Sequence, residues 1–278
     1  MGSRARLRGL SPMDAVILES VSKFFRHRPA LFNWLGRERS GETRALDSVS
    51  LNVTHGSVLV LLGPNGSGKT TTLKLISTML LPDAGRVLVQ GADTVRDPSS
   101  VRRWVGFAVA TERSFFPRLS ARENLDFFAA LDDIPRRKRG ERTEQLLRQT
   151  GLLDAADILV MKFSSGMYQR LGIARALIKK PSVVLLDEPT RSLDPGSAAQ
   201  FWNLVRSLPS EGATVILATH NFNEAVAVGN DVAILYRGTI VAERHLSSTM
   251  SMDQLRSFYF ESTGELEEVE AIDSRGTR

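Results

Sequence analysis

The sequence has no cysteine, which excludes disulfides and thiolate metal ligands and fits a reducing compartment. It also lacks any run near the about 20 apolar residues that a bilayer-spanning helix needs. Residues 1–10 carry arginines with no long apolar segment behind them, so no secretory leader is expected. A strong charge of either sign is missing too. Thirty-six Lys and Arg against 31 Asp and Glu leave a formal net charge of +5, too mild on 278 residues to select an anionic partner. Aromatics make up only 7% of the chain and do not interleave the basic run Arg136, Arg137, Lys138 and Arg139. That run reads as a solvated face, and no nucleic-acid partner is expected. What is present is 42% hydrophobic content, enough for a sizeable core in one large domain or two modest ones.

The chain is organised around Gly63-Pro64-Asn65-Gly66-Ser67-Gly68-Lys69-Thr70. An apolar strand candidate, 58–62, leads in, and Thr71-Thr72-Leu73-Lys74-Leu75-Ile76 leads out as a helix. Gly63, Gly68, Lys69 and Thr70 fill the P-loop pattern G-x-x-x-x-G-K-[ST] in the strand-turn-helix context that it requires. Glycines let successive backbone N–H groups point into one concavity on the positive end of a helix, where a phosphate chain fits. Lys69 would add a mobile charge on the phosphates, and the Thr70 hydroxyl would ligate Mg²⁺, a hard ion that prefers oxygen.

Around this turn, residues 1–14 read as a loose basic lead and 15–21 as a strand. Residues 26–44, rich in Arg, Pro and Gly around Trp34, read as an insertion. Strands follow at 46–53, 58–62, 86–89 and 105–109. The middle, about 113–165, turns helical: Ser120 and Glu123 form a capping box, Pro135 breaks the helix, and 141–150 resumes it. Ser164-Ser165-Gly166 caps a further helix, and Asp194-Pro195 starts another. Strands at 183–186, 214–218, 231–236 and 239–243 alternate with helices, the pattern of a largely parallel sheet covered on both faces. Beyond Ser247 the chain becomes polar and then acidic, and 247–278 reads as a frayed tail.

Asp187 and Glu188 close a buried strand at its carboxyl end, where open α/β sheets place ligand groups. Adjacent carboxylates repel unless a cation or different roles separate them. A P-loop supplies the reason: Asp187 can hold Mg²⁺ through water while Glu188 deprotonates the water that attacks the γ-phosphate.

Val183-Val184-Leu185-Leu186-Asp187-Glu188-Pro189-Thr190, followed by Ser192-Leu193-Asp194, resembles the Walker B and D-loop of ABC-type ATPases. Phe163-Ser164-Ser165-Gly166-Met167, with Gln169-Arg170, looks like their signature motif; His220 resembles the switch histidine, and Phe25, with Phe24 as an alternative, the aromatic that stacks on adenine. His27, His55 and His245 read as surface residues. The resemblance covers about 15–246 as one ABC ATPase domain. It implies an α/β P-loop NTPase (RecA-like) core with an antiparallel β subdomain and an inserted α-helical subdomain. ATP and Mg²⁺ are the implied cofactors. Glu188, His220 and Lys69 would be catalytic; Phe25, Gly63 to Thr71, Ser164, Gly166 and Asp194 would hold nucleotide; Thr70, Asp187 and Glu112 would ligate the metal.

Three features depart from the family pattern. Ser165 and Met167 stand where the signature has glycine and glutamine, while the phosphate-contacting pair Ser164 and Gly166 remains. Glu112 is the nearest oxygen ligand where the Q-loop glutamine is expected, and the 26–44 insertion is the third departure. The family mechanism implies a head-to-tail homodimer, each ATP lying between the P-loop of one copy and the signature of the other. It also implies a separate transmembrane permease at the cytoplasmic face of the membrane. The motif wording is similar to the bacterial exporter branch that handles drugs, lipids and polysaccharides. An ABC ATPase acting on ribosomes or DNA is the alternative, disfavoured by the single P-loop and the lack of sustained heptads; an importer ATPase is a third.

Overall fold

Alternating buried and exposed side chains along Glu42–Thr54 (β2), with Val49, Leu51 and Val53 turned inward, make a strand with one covered face. The computed structural model describes residues 14–26, 42–109, 114–191, 193–247 and 249–264. In it β2 pairs antiparallel with Asp14–Arg26 (β1), which pairs in turn with Ala84–Val89 (β4), and the two-residue β5 (Ala92–Asp93) closes a four-stranded sheet. The basic lead before Asp14, residues 27–41 of the insertion with Trp34 and His27, Glu112, Ser192, and 265–278 lie outside the described residues.

The second sheet has six strands. Val58–Leu62 (β3), Val105–Val109 (β6), Val183–Asp187 (β7), Thr214–Thr219 (β8) and Asp231–Tyr236 (β9) run parallel in the order β9-β3-β8-β7-β6, and Thr239–His245 (β10) adds an antiparallel edge beside β9. Every side chain of β3 and β8 is buried, as a strand covered on both faces requires. One core takes Val60, Leu62, Leu186 and Leu217; the other takes Leu59, Leu61, Leu185 and Ile216. The sheet is thus the middle layer. On one side lie Lys69–Ile76 (α1), Pro98–Trp104 (α2) and the antiparallel sheet. On the other lie the helices that follow β6, β7 and β8. The parallel register sets Leu62 beside Thr219 and Asp187 beside Ala218, so three strand tips end side by side.

The middle segment is helical: Ala121–Leu131 (α3), Arg136–Gln149 (α4) and Ser165–Ala176 (α5) share apolar faces through Leu125, Phe128, Leu146, Leu147 and Leu171. The Ser120–Glu123 capping box is formed in both directions. The basic run lies inside α4 rather than before it, because Pro135 serves as the residue ahead of a helix and Arg and Lys are good helix formers. Arg136, Arg137 and Lys138 are exposed. Pro195–Ser207 (α6) and Phe222–Val228 (α7) follow β7 and β8.

One expectation is corrected. The stretch beyond Ser247 is not a frayed tail throughout, because Met252–Thr263 (α8) is a helix with its own capping box at Ser251 and Gln254. Leu255 and Tyr259 are buried, and Tyr259 stacks edge-on against Phe222 of α7 with 5.3 Å between ring centroids. Met252, Leu255 and Tyr259 carry a helical spacing that the polar and acidic composition of the tail masked; what orders the helix is the surface contributed by α7, β9 and β10. Among the described residues no helix is long and apolar enough to cross a membrane.

Candidate functional site

The turn between β3 and α1 needs its glycines for physical reasons. A Cβ on Gly63 would lie 2.1 Å from the Leu235 carbonyl oxygen, and Gly68, at φ 110°, would push a Cβ to 2.7 Å from the Ala45 carbonyl oxygen. Gly68 is also the residue that caps α1, and it brings no side-chain acceptor, so the first-turn amides are free for an anion. Within the turn Asn65 and Gly66 are exposed, Pro64 accepts from the Ser67 amide at 3.2 Å, and the Ser67 hydroxyl is buried with no hydrogen-bond partner among the described residues.

Lys69 folds back over this loop. Its buried Nζ donates to the carbonyls of Gly63 at 2.7 Å and Pro64 at 3.1 Å, and stands 3.4 Å from Glu188 Oε1. Burial lowers its ammonium pKa, against the pull of Glu188 and Asp187. Thr70 donates its hydroxyl to Asp187 Oδ2 at 2.8 Å, while Asp187 Oδ1 is buried with no hydrogen-bond partner among the described residues. Burial raises the Asp187 carboxyl above its usual range; the Thr70 bond opposes that shift and the Glu188 charge adds to it.

Glu188 occupies the left-handed region at φ 48°, an uncommon conformation for a residue with a side chain and one that recurs at functional sites. Its N–H donates to the Ala218 carbonyl at 2.9 Å as the last rung of the β7–β8 pairing, and the left-handed φ then turns the chain. Oε2 meets His220 Nδ1 at 2.8 Å and Oε1 faces Lys69, so one carboxylate bridges the glycine-rich turn and the end of β8.

The remaining expected residues form a separate group. Ser164 caps α5 by accepting from the Met167 amide at 3.3 Å, and Asp194 caps α6 by accepting from the Ser197 amide at 3.0 Å. A Cβ on Gly166 would come within 3.0 Å of Leu193 Cδ2, so the start of α5 lies against the turn before Asp194. Among the described residues no hydrogen bond or ion pair directly joins Ser164, Gly166 or Asp194 to Lys69, Asp187, Glu188 or His220. Phe25, near the end of β1, is exposed; Phe24 is half-buried with the Arg44 guanidinium 5.1 Å from its ring centroid. One acidic residue escaped the sequence reading: Glu224 on α7 is fully buried. Its helical spacing with Ala225 and Val228, both core residues, is the signal that could have found it.

A parallel sheet whose glycine-rich strand-to-helix turn lies beside a strand ending in carboxylates defines the P-loop class of nucleotide-binding folds. The chain belongs to the ABC transporter family, whose profile matches residues 46–191. It is 39% identical over 206 residues to a daunorubicin resistance ATP-binding protein of Streptomyces coeruleorubidus, a match covering 74% of this chain and 65% of that protein. It is 36% identical over 207 residues to the Nod factor export ATP-binding protein I of Ralstonia nicotianae, covering 74% of this chain and 64% of the relative. The matches therefore span less than two thirds of these relatives' own length. A dimeric ATP-binding cassette solved in a post-hydrolysis state with ADP and Pi superposes with a TM-score of 0.72 at 28% identity, covering 84% of this chain and 99% of that one.

Proposed function

We propose that this chain is the ATP-binding subunit of an ABC exporter, hydrolysing ATP to drive a drug, lipid or polysaccharide through a separate transmembrane permease at the cytoplasmic face of the membrane. The observation that carries this reading is the meeting of Lys69, Glu188 and His220 at the tips of three parallel strands. Residues Gly63 to Thr71 would wrap the phosphates, and Phe25 would stack on the adenine. On binding, the β and γ phosphates take over the Lys69 ammonium from its two carbonyls, which frees Glu188 Oε1 to accept the proton of the attacking water. His220 holds the other carboxylate oxygen and the γ-phosphate side of the site.

A divalent cation fits the residues present. The Thr70 hydroxyl and Asp187 are oxygen donors already 2.8 Å apart, and the second Asp187 oxygen is buried with no hydrogen-bond partner among the described residues. Mg²⁺, when bound with the nucleotide, would neutralise charge developing on the transferred phosphoryl group. Thr70 and Asp187 would orient it; the proposed third ligand, Glu112, lies outside the described residues. Ser164, Gly166 and Asp194 would act on the nucleotide of a second copy, since within one copy they form a separate group. The relatives named for daunorubicin resistance and Nod factor export support the exporter branch.

The test is Glu188→Gln. ATP binding should persist while turnover falls by roughly 10²–10⁴, the weight of a general base. Near-normal hydrolysis would rule out this assignment.

A further inference from the structure

Glu224 is the buried ionisable group that the mechanism above does not use. Its side chain is wholly inaccessible, and among the described residues neither carboxylate oxygen closes a hydrogen bond of normal geometry. Burying such a group is costly, and an aliphatic side chain would pack beside Ala225 and Val228 without that cost. Its polar surroundings suggest what the carboxyl does. The Thr219 and Thr190 hydroxyls and the Trp202 indole lie near enough to act on its charge, and among the described residues the Trp202 N–H has no hydrogen-bond partner. Thr219 Oγ1 already accepts the Asn221 amide at 3.1 Å, so its proton is free to be donated; indole can only donate. The Glu224 carboxylate can serve both as an acceptor.

These neighbours sit on the parts of the chain that shape the site. Thr219 ends β8 and immediately precedes His220. Thr190 lies two residues beyond Glu188 and its carbonyl accepts the Leu193 amide at 3.0 Å, forming the turn that leads to Asp194. Trp202 belongs to α6, which Asp194 caps. Burial raises the Glu224 carboxyl above the usual range, and the Glu188 charge adds to that shift.

We propose that Glu224 is a positioning residue for hydrolysis, a buried acceptor that ties the end of β8, the turn after Glu188 and α6 together so that Glu188 and His220 keep their 2.8 Å contact. This rests on the hydrolytic reading of the site given above. Glu224 is buried beneath the site and acts through Thr219 and Thr190.

The experiment compares Glu224→Leu and Glu224→Gln in the full chain, with Glu188→Gln as control, measuring ATP affinity by calorimetry, kcat, KM and melting temperature. Glu224→Leu should bind ATP within about threefold of the parent and melt near it, yet lose roughly ten- to a hundredfold in kcat, the scale of a displaced catalytic group. Glu224→Gln, which keeps one acceptor oxygen, should recover most of that loss. Turnover of Glu224→Leu within about twofold of the parent would overturn the inference. So would a loss that follows the melting temperature and disappears on cooling, or a Gln variant no better than Leu. If Glu188→Gln itself hydrolyses ATP normally, the reading of the site is what fails. If Glu188→Gln is dead and Glu224→Leu is fully active, only the role of Glu224 falls.

Discussion

Phe25 depends on its neighbours for its place at the rim of the molecule. The Phe24 amide donates to Asp83 Oδ2 at 2.6 Å and Lys23 Nζ to Oδ1 at 3.2 Å, which pins the end of β1 to the turn before β4. The amide bond first, and Lys23 after it, hold the Asp83 carboxyl below its ordinary range. A depressed folded pKa means that the unfolded chain binds the proton more readily. The stabilisation is fully present above the ordinary value of about 3.9 and is lost as pH falls through the lower folded value. Asp83→Asn should therefore flatten the acid side of the stability profile. Urea unfolding of both proteins from about pH 5 to about pH 2 measures this, and parallel curves would contradict it.

Elements in this chain differ in how far they carry their own instructions. The α3 helix carries them locally: the Ser120 N–H donates to Glu123 Oε2 at 2.7 Å and the Glu123 N–H to Ser120 Oγ at 3.1 Å, with Leu125 and Phe128 at core spacing behind them. Ser120→Ala should destabilise the protein by about 0.5–2 kcal/mol, read as a lower melting temperature with unchanged ATP affinity. An unaltered melting temperature would show that the box is dispensable. The α6 helix, with Asp194 and Pro195 at its start, was legible for the same reason. The α8 helix was not. Its cap is written at Ser251 and Gln254, but only Leu255 and Tyr259 are buried, and the surface that buries them comes from α7, β9 and β10. A helix of this length is marginal without such packing.

At the scale of the whole molecule, no direct hydrogen bond or ion pair among the described residues joins the two groups of proposed nucleotide contacts in one copy. Lys69, Glu188 and His220 converge at the strand tips, whereas Ser164, Gly166 and Asp194 gather where α5 begins against the turn before α6. Two copies arranged head to tail would bring each group to the other's nucleotide. The Glu188→Gln variant, expected to bind ATP without consuming it, should therefore run as a dimer with ATP and as a monomer with ADP in light scattering. A monomer at every ATP concentration would count against the paired arrangement.

The sequence by itself determined the strand-turn-helix around Lys69, the order of the motifs, the helix caps and the parallel character of the main sheet. Each of these is encoded within a few residues, by glycine at positions that admit no Cβ, by capping side chains, or by unbroken apolar strands such as β3 and β8. Only the tertiary structure decided how the site closes. Thr70 reaches Asp187 across 117 residues and His220 reaches Glu188 across 32, contacts that exist because β3, β7 and β8 lie in parallel register. The left-handed turn at Glu188 and the burial of Glu224 also appear only when the strand ends and α7 are packed together. A residue's type names the chemistry it can do, and its neighbours, brought from distant sequence by burial of the sheet, decide whether it does it.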